Sequence, residues 1–203
     1  LSSSSAASDV YKRQVYYPFR EVIEDNGRKF INSQLHYENG KYTIDFADFE
    51  QKIEDNNVKV FLLCSPHNPA GRVWTKEELT RMGDICLKHD VIIMDDEIHC
   101  DFVYAPHHFT SFLTLDEKYR KNLVLYNSPS KTFNVAGLQP ANIIIPDEEL
   151  RKRYRKANAA AGYSQGSIMG QVAVKSCYTK GDEWVKELVA VSYTHLRAHE
   201  TLM

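Results

Sequence analysis

Short apolar runs alternate along the chain with segments whose apolar residues recur at helical spacing. The runs lie at residues 58–64, 91–94, 123–126 and 143–145. They are rich in Val, Ile and Leu and are bounded by Pro, Gly and Asn, which is typical of strands buried in a parallel sheet. The pattern therefore predicts four strands.

Helices are predicted between these runs. Thr75 and Glu78 form a capping-box pattern, and the apolar face that follows is Leu79, Met82, Ile85 and Cys86. A second helix is predicted over residues 147–161, with acidic residues first and basic residues later, as the helix dipole favours. Residues 29–35, a turn at 38–40 and a helix over 45–53 complete the pattern. It predicts an α/β fold with a mostly parallel sheet and helices on both faces.

Composition narrows the class of protein. The 203 residues are 43% hydrophobic, enough for one sizeable core, and the net charge of −2 favours neither nucleic acid nor an anionic membrane. The four cysteines form no paired metal-binding motif, and the cluster His99, Cys100, His107 and His108 lacks the spacing of a known metal site. Without a bilayer-length apolar run or a cleavable leader, we expect a cytoplasmic protein.

The two ends differ from the middle. Residues 1–14 are serine-rich and aperiodic, and residues 191–203 also lack an amphipathic pattern. Both resemble translated sequencing-adapter read-through, so we expect them to be non-native tails, with ordinary disordered termini as the alternative. The meaningful chain is then residues 15–190.

A polar motif follows each of the first three predicted strands. The motifs are Ser-Pro-His-Asn-Pro-Ala-Gly at residues 65–71, Asp-Glu-Ile-His at 96–99, and Ser-Pro-Ser-Lys-Thr-Phe-Asn at 128–134. Because the carboxyl ends of parallel strands meet at one edge of the sheet, we expect these motifs to converge there.

The converging groups suit pyridoxal 5′-phosphate. This cofactor needs an amine for its aldehyde, an anion at its ring nitrogen, and donors for its phenolate and phosphate oxygens. Lys131, Asp96, Asn68, Ser128 and Ser130 offer these groups. Each also has an ordinary structural interpretation when taken alone: a solvated lysine, a helix-capping acid, or a residue bonded to its own turn.

The motifs resemble the class I/II (fold type I) pyridoxal-phosphate-dependent aminotransferase family over nearly all of residues 15–190. Asp-Glu-Ile-His and the run Ser-Lys-Thr-Phe-Asn-Val-Ala-Gly-Leu-Gln at 130–139 resemble its cystathionine β-lyase (cysteine-S-conjugate β-lyase) branch in particular. Aminotransferases of the family usually carry Tyr where His99 stands and Arg where Gln139 stands. The resemblance implies the large domain of that fold, truncated at both ends.

The resemblance also implies roles for individual residues. Lys131 is expected to hold the cofactor as a Schiff base and then act as general base. Asp96 is expected to pair with the pyridine nitrogen, Asn68 to contact the phenolate oxygen, and His99 to lie against that same oxygen.

The resemblance implies that Ser128 and Ser130 bind the phosphate of the cofactor. Gln139 removes the bidentate contact that arginine makes in the family, so other donors must compensate. Ala70, where Thr is common, changes little.

The activity implied is cleavage of cystathionine or another cysteine S-conjugate, an amino acid thioether, to a thiol, pyruvate and ammonia. An amino acid aminotransferase is the first alternative, and a non-catalytic truncated fragment is the second. Family members also need an N-terminal glycine-containing phosphate loop and a C-terminal substrate-carboxylate arginine, neither of which we find here. We therefore expect negligible turnover from these 203 residues and an active, homodimeric full-length parent.

Overall fold

The structure, a computed structural model, describes residues 15–163 and 165–200, apart from the side chains of 197–200. Helix α1 (Pro18–Asp25) precedes a hairpin of β1 (His36–Glu38) and β2 (Lys41–Thr43). The hairpin turns at residues 39 and 40, where the turn was predicted, and both have positive φ. Residues 29–35 carry no strand or helix before β1 begins.

A four-stranded sheet forms the centre of the described chain. Its strands, in spatial order, are β3 (Val60–Cys64), β4 (Ile92–Asp96), β5 (Leu123–Asn127) and β6 (Asn142–Ile144). The β3–β4 and β4–β5 pairs are parallel, which confirms the predicted mostly parallel sheet. β6 pairs antiparallel with β5, because the connection folds back over the strand end with only a three-residue 3-10 turn, Ala136–Leu138.

Two helices cover one face of the sheet. α2 (Phe46–Asn56) begins at Asp45, whose carboxylate caps two backbone N–H groups, and α3 (Lys76–Lys88) begins with the predicted capping box. The predicted apolar face of α3 is buried in full. With residues of α2 and the inward side chains of β3–β5, it forms the core. The two capped helices therefore fix the sheet from one side.

A cavity of about 790 Å³ lies against the opposite face of the sheet and extends around its β3 edge to Phe49 and Ile53 of α2. Outward side chains of β3 and β4, such as Leu62 and Met94, line it together with Phe19 of α1. Arg153, on α4 (Glu148–Ala160), also lines it. This face is less completely covered than the core face, and Val60 is 43% exposed.

The described chain ends in two helices, α5 (Ile168–Lys180) and α6 (Asp182–Glu200). α6 runs past residue 190, and the hydroxyls of Tyr104 and Ser192 lie 2.6 Å apart. This differs from the aperiodic tail expected after residue 190. Residues 1–14 and 201–203 lie outside the described residues, and the adapter origin of both flanks stays a prediction. Within 15–163 and 165–200, no helix has the length and apolarity needed to cross a bilayer.

Candidate active site

Asp96 ends the strand in the middle of the parallel sheet. In the strand register it stands between Cys64 of β3 and Tyr126 of β5, so the three side chains share one face. The N–H of Ser65 donates to the Asp96 carbonyl at 2.9 Å, and the N–H of Glu97 donates to the Tyr126 carbonyl at 2.9 Å. The three strand ends are thus held together at the edge where the polar motifs begin.

The Asp96 carboxyl is half-buried and short of hydrogen-bond donors. Its Oδ1 accepts from the N–H of Ile98 at 3.1 Å. Burial raises its pKa above the usual value, while the Ile98 bond and the charges of His99 and Lys131 act in the opposite direction without offsetting the burial. A cationic N–H placed at this carboxylate would supply the missing stabilisation.

His99 lies in the loop that follows β4. Burial lowers the pKa of its half-buried imidazole; the charge of Asp96 raises this pKa and that of Lys131 lowers it further. The ring is therefore neutral at neutral pH and has one donor and one acceptor nitrogen. The charges of Asp96 and Lys131 both act on the pKa of His99, so Asp96 at the end of β4 and these two loop residues lie near one another.

The loop after β5 carries Lys131 and the two serines. Ser128 is buried, and its hydroxyl donates to the carbonyl of Pro140 at 2.5 Å. The same oxygen accepts from the backbone N–H of Ser130 at 3.1 Å, and the two hydroxyl oxygens lie 2.7 Å apart. Lys131, the next residue, is exposed. The serines are thus bonded to each other and to their own loop, and an anion here must draw the Ser130 hydroxyl away.

Asn68 is attached to the end of β3. Its backbone N–H donates to Sγ of Cys64 at 3.3 Å, and this thiol faces the Pro66 carbonyl at 3.4 Å. Burial raises the pKa of Cys64 to about 12, so the thiol stays protonated and donates to that carbonyl. Since Cys64 stands beside Asp96 in the register, Asn68 belongs to the same edge. Its side-chain amide is half-buried.

Three residues of this region were missed in the sequence. Tyr126 neighbours Asp96, and burial, Tyr154 and Asp96 raise its pKa to about 12. Aligning the ends of the predicted strands would have found it. Asp101 and Trp184 contact the residue that follows Lys131, and no local pattern marks either of them.

The Gln139 position also has a defined geometry. It follows the 3-10 turn with φ of 51°, and its N–H donates to the Ala136 carbonyl. Its side chain is exposed. Gln139 therefore lies on the loop of the two serines.

Comparison with known proteins gives consistent matches. Residues 9–199 match the family described as "Aminotransferase class I and II". "Cystathionine beta-lyase PatB" of Bacillus subtilis (strain 168) is 37% identical over 194 residues, which are 96% of this chain and 50% of that protein. "Kynurenine--oxoglutarate transaminase 3" of Mus musculus is 32% identical over 136 residues, 64% of this chain and 28% of that one.

A solved structure agrees with these matches. The crystal structure of cystalysin from Treponema denticola, which contains a pyridoxal 5′-phosphate cofactor, superposes with a TM-score of 0.85 at 39% identity. The match covers 88% of this chain and 45% of cystalysin. The chain thus spans about half the length of the proteins it resembles.

Proposed function

Because the chain belongs to the aminotransferase class I and II family, we propose that it is the cofactor-binding part of a pyridoxal-phosphate-dependent carbon–sulfur β-lyase. The observation that carries the proposal is the register of Cys64, Asp96 and Tyr126, which sets the three strand ends that precede the polar motifs side by side at the carboxyl edge of the sheet. The relatives named cystathionine β-lyase support the substrate class, which is cystathionine or another cysteine S-conjugate. The products are a thiol, pyruvate and ammonia.

The residues present fit pyridoxal 5′-phosphate. The desolvated Asp96 carboxylate has a backbone donor at Oδ1 and needs a cation, which a protonated ring nitrogen supplies. The exposed amine of Lys131 is open to an aldehyde. We assign the ring nitrogen to Asp96, the aldehyde to Lys131, and the phenolate oxygen to Asn68 and His99.

Ser128 and Ser130 are assigned to the phosphate. The Ser128 hydroxyl proton is directed at the Pro140 carbonyl, so its role is to hold the turn. The Ser130 hydroxyl, half-buried and bonded only within the pair, turns more readily toward an anion. Ser130 is therefore the stronger direct phosphate donor of the two in this proposal.

The chain's own residues supply base and electrostatic steps. Bound pyridoxal phosphate supplies an electron sink for the substrate α-carbon. Lys131 would hold the cofactor aldehyde, and its free amine would accept the substrate α-proton on Nζ. Asp96 keeps the proton on the ring nitrogen by remaining ionised beside it. Neutral His99 donates one hydrogen bond toward the phenolate oxygen, and the β-thiolate of the substrate then departs.

Amino transfer is the second candidate, favoured by the match to a transaminase of Mus musculus. The two reactions share every group assigned above and differ in where the proton returns. Pyruvate released from cystathionine without a keto acid supports the lyase, and amino transfer to a keto acid without pyruvate supports the transaminase. We propose that the full-length enzyme is a cytoplasmic homodimer and that these 203 residues alone turn over negligibly.

The test is reductive trapping on the 203-residue chain. The protein is incubated with pyridoxal phosphate, reduced with borohydride and digested, and the modified peptide is mapped. We expect modification at Lys131, lost in Lys131→Ala and weakened in Asp96→Ala, whereas Lys156→Ala, which removes another exposed lysine, leaves the pattern unchanged. Modification spread evenly over surface lysines would contradict the proposed site.

A further inference from the structure

We propose that Asp101 is a positioning residue that, by binding the hydroxyl of Thr132, fixes the direction in which Lys131 leaves its loop. The proposal rests on the function proposed above for Lys131. Asp101 does not itself touch the cofactor in this scheme. It acts on the lysine through the residue next to it.

The contact joins the two loops of the site. The Thr132 hydroxyl donates to Oδ2 of Asp101 at 2.7 Å, across 31 positions of sequence. Thr132 is 2% exposed although Lys131 beside it is exposed. A buried hydroxyl on a carboxylate is among the stronger hydrogen bonds in a protein, because the acceptor is charged. Thr132 is therefore fixed in position, while the side chain of the adjacent Lys131 extends from the surface.

A second contact fixes the backbone of the same residue. Nε1 of Trp184, on α6, donates to the Thr132 carbonyl at 3.2 Å. Thr132 is β-branched and stiff about χ1, so holding both its hydroxyl and its carbonyl leaves little freedom to its backbone. The N–H of Phe133 also closes a turn onto the Pro129 carbonyl at 2.9 Å. Lys131 lies inside that turn.

The Phe133 ring adds a third anchor. A Cβ built on Gly181 would lie 2.3 Å from its Cε1, so the ring lies directly against the glycine at the junction of α5 and α6. Thr132 and Phe133 are thus both pinned to the body of the molecule. Lys131, which precedes them in the sequence, is exposed.

Fixing the residues next to Lys131 affects its reactivity because a lysine side chain has large rotamer freedom. In the proposed function its Nζ must reach the aldehyde carbon of the cofactor. A fixed Cα and Cα–Cβ direction reduces the volume that Nζ samples. Asp101 comes from the loop that follows Asp96 and carries His99, so its bond to Thr132 links the two halves of the site. Losing the bond should slow attachment of the aldehyde to Lys131 without removing any group that contacts it.

The experiment compares isosteric variants of the full 203-residue chain. Thr132→Val keeps the shape and loses the hydroxyl, and Thr132→Ser keeps the hydroxyl. Asp101→Ala removes the acceptor, and Asp101→Asn keeps a neutral acceptor oxygen. The readouts are the rate of borohydride-trapped modification at Lys131 and the absorbance of the attached pyridoxal phosphate, each measured across pH.

We expect Thr132→Val and Asp101→Ala to slow trapping at Lys131 by about tenfold, the loss expected for one hydrogen bond to a charged group. Thr132→Ser should retain most of the wild-type rate, and Asp101→Asn should trap at an intermediate rate because its neutral acceptor makes a weaker bond. The double variant Asp101→Ala/Thr132→Val should be no slower than either single variant, because both remove the same bond. Thr114→Val, which loses a 2.7 Å bond to the Ser111 carbonyl elsewhere, should leave the rate unchanged.

Wild-type trapping rates in both Thr132→Val and Asp101→Ala would overturn the positioning role and leave the proposed function standing. Equal loss in Thr132→Ser and Thr132→Val would also overturn it, since the hydroxyl would not be the cause. If no chain, wild type included, is modified selectively at Lys131, the proposed function fails and the positioning role fails with it. Far-UV circular dichroism and urea midpoints identify a variant that has not folded. If Thr132→Val or Asp101→Ala does not fold, the trapping rate of Thr132→Ser or Asp101→Asn at the same position is the test instead.

Discussion

The indole Nε1 of Trp74 donates a 2.9 Å hydrogen bond to the carbonyl oxygen of Cys64, the last residue of β3. Trp74 is 3% exposed, and its ring meets the ring of His67 edge-on with centroids 5.7 Å apart. Burial lowers the pKa of His67 to about 4, so this pair is uncharged at neutral pH. The bond ties the end of β3 to the loop that carries Asn68.

Trp74→Phe should destabilise the fold by about 1–3 kcal/mol, because it leaves a buried carbonyl without this donor and shortens a buried ring. The measurement is urea unfolding followed by circular dichroism. Tyr163→Phe is the control, since Tyr163 is 72% exposed, and it should change stability by less than about 0.5 kcal/mol. Equal midpoints for Trp74→Phe and wild type would show that the bond contributes nothing.

Local signals account for what was predictable in the fold. The apolar runs locate β3, β4 and β5 to within about two residues, and the Thr75–Glu78 pattern locates the start of α3. These features depend on residues close in sequence. The family resemblance likewise rests on local sequence, because it depends on three short motifs and on their order along the chain.

Long-range pairings account for what was not predictable. β6 has the composition of a buried strand, and only its antiparallel pairing with β5 shows that its connection folds back. The bond between Asp101 and Thr132 spans 31 positions, and that between Thr132 and Trp184 spans 52. No periodicity encodes such contacts. The groups to which we assign chemistry lie in local motifs and could be named from the sequence, whereas the groups that hold their loops in place could not.

Gly83→Ala tests packing against helix propensity. Within a helix, alanine is favoured over glycine by about 1 kcal/mol. A Cβ at Gly83, however, would lie 2.7 Å from Cε1 of Tyr119, a ring that is 1% exposed and bonded through its hydroxyl to Asp84 at 2.7 Å. Overpacking of this kind costs about 1–3 kcal/mol, so we expect a net loss of stability.

The measurement for Gly83→Ala is the thermal midpoint, with Gly166→Ala as the control. A Cβ at Gly166 meets no atom within 4 Å, so that variant should be close to neutral. A rise in the midpoint of Gly83→Ala would mean that Tyr119 moves aside easily and propensity prevails.

Asp95→Asn should stabilise the protein increasingly as pH rises. Asp95 is fully buried on the core face, and burial, followed by the charge of Glu97, raises its pKa well above the usual value. The folded chain therefore takes up a proton there. This contribution to stability is complete below the unfolded pKa of about 3.9 and is lost as pH rises toward the raised folded pKa. Asparagine does not ionise, so the variant does not lose stability in this way as pH rises.

The comparison is urea unfolding of Asp95→Asn and wild type at several pH values. Asp84→Asn is the control of opposite sign, because hydrogen bonds from Lys118 and Tyr119 lower the pKa of Asp84. Its loss of stability should be largest above the unfolded pKa and fade as pH falls. A pH-independent difference for Asp95→Asn would mean that the pKa of Asp95 is the same in the folded and unfolded chains, contrary to the raised pKa assigned here.

Asp96→Asn should weaken pyridoxal phosphate binding about 10- to 100-fold, the range for losing a hydrogen bond to a charged group. Asparagine keeps an acceptor for the N–H of Ile98 and loses only the charge. The dissociation constant is measured by equilibrium dialysis before reduction, and trapping at Lys131 should persist at saturating cofactor. Asp90→Asn is the matched control, since Asp90 is exposed at φ of 53°, a conformation that asparagine adopts readily. Equal cofactor affinity in Asp96→Asn and Asp90→Asn would show that the charge of the Asp96 carboxylate does not contribute to binding. The assignment of Asp96 to the ring nitrogen would then be wrong.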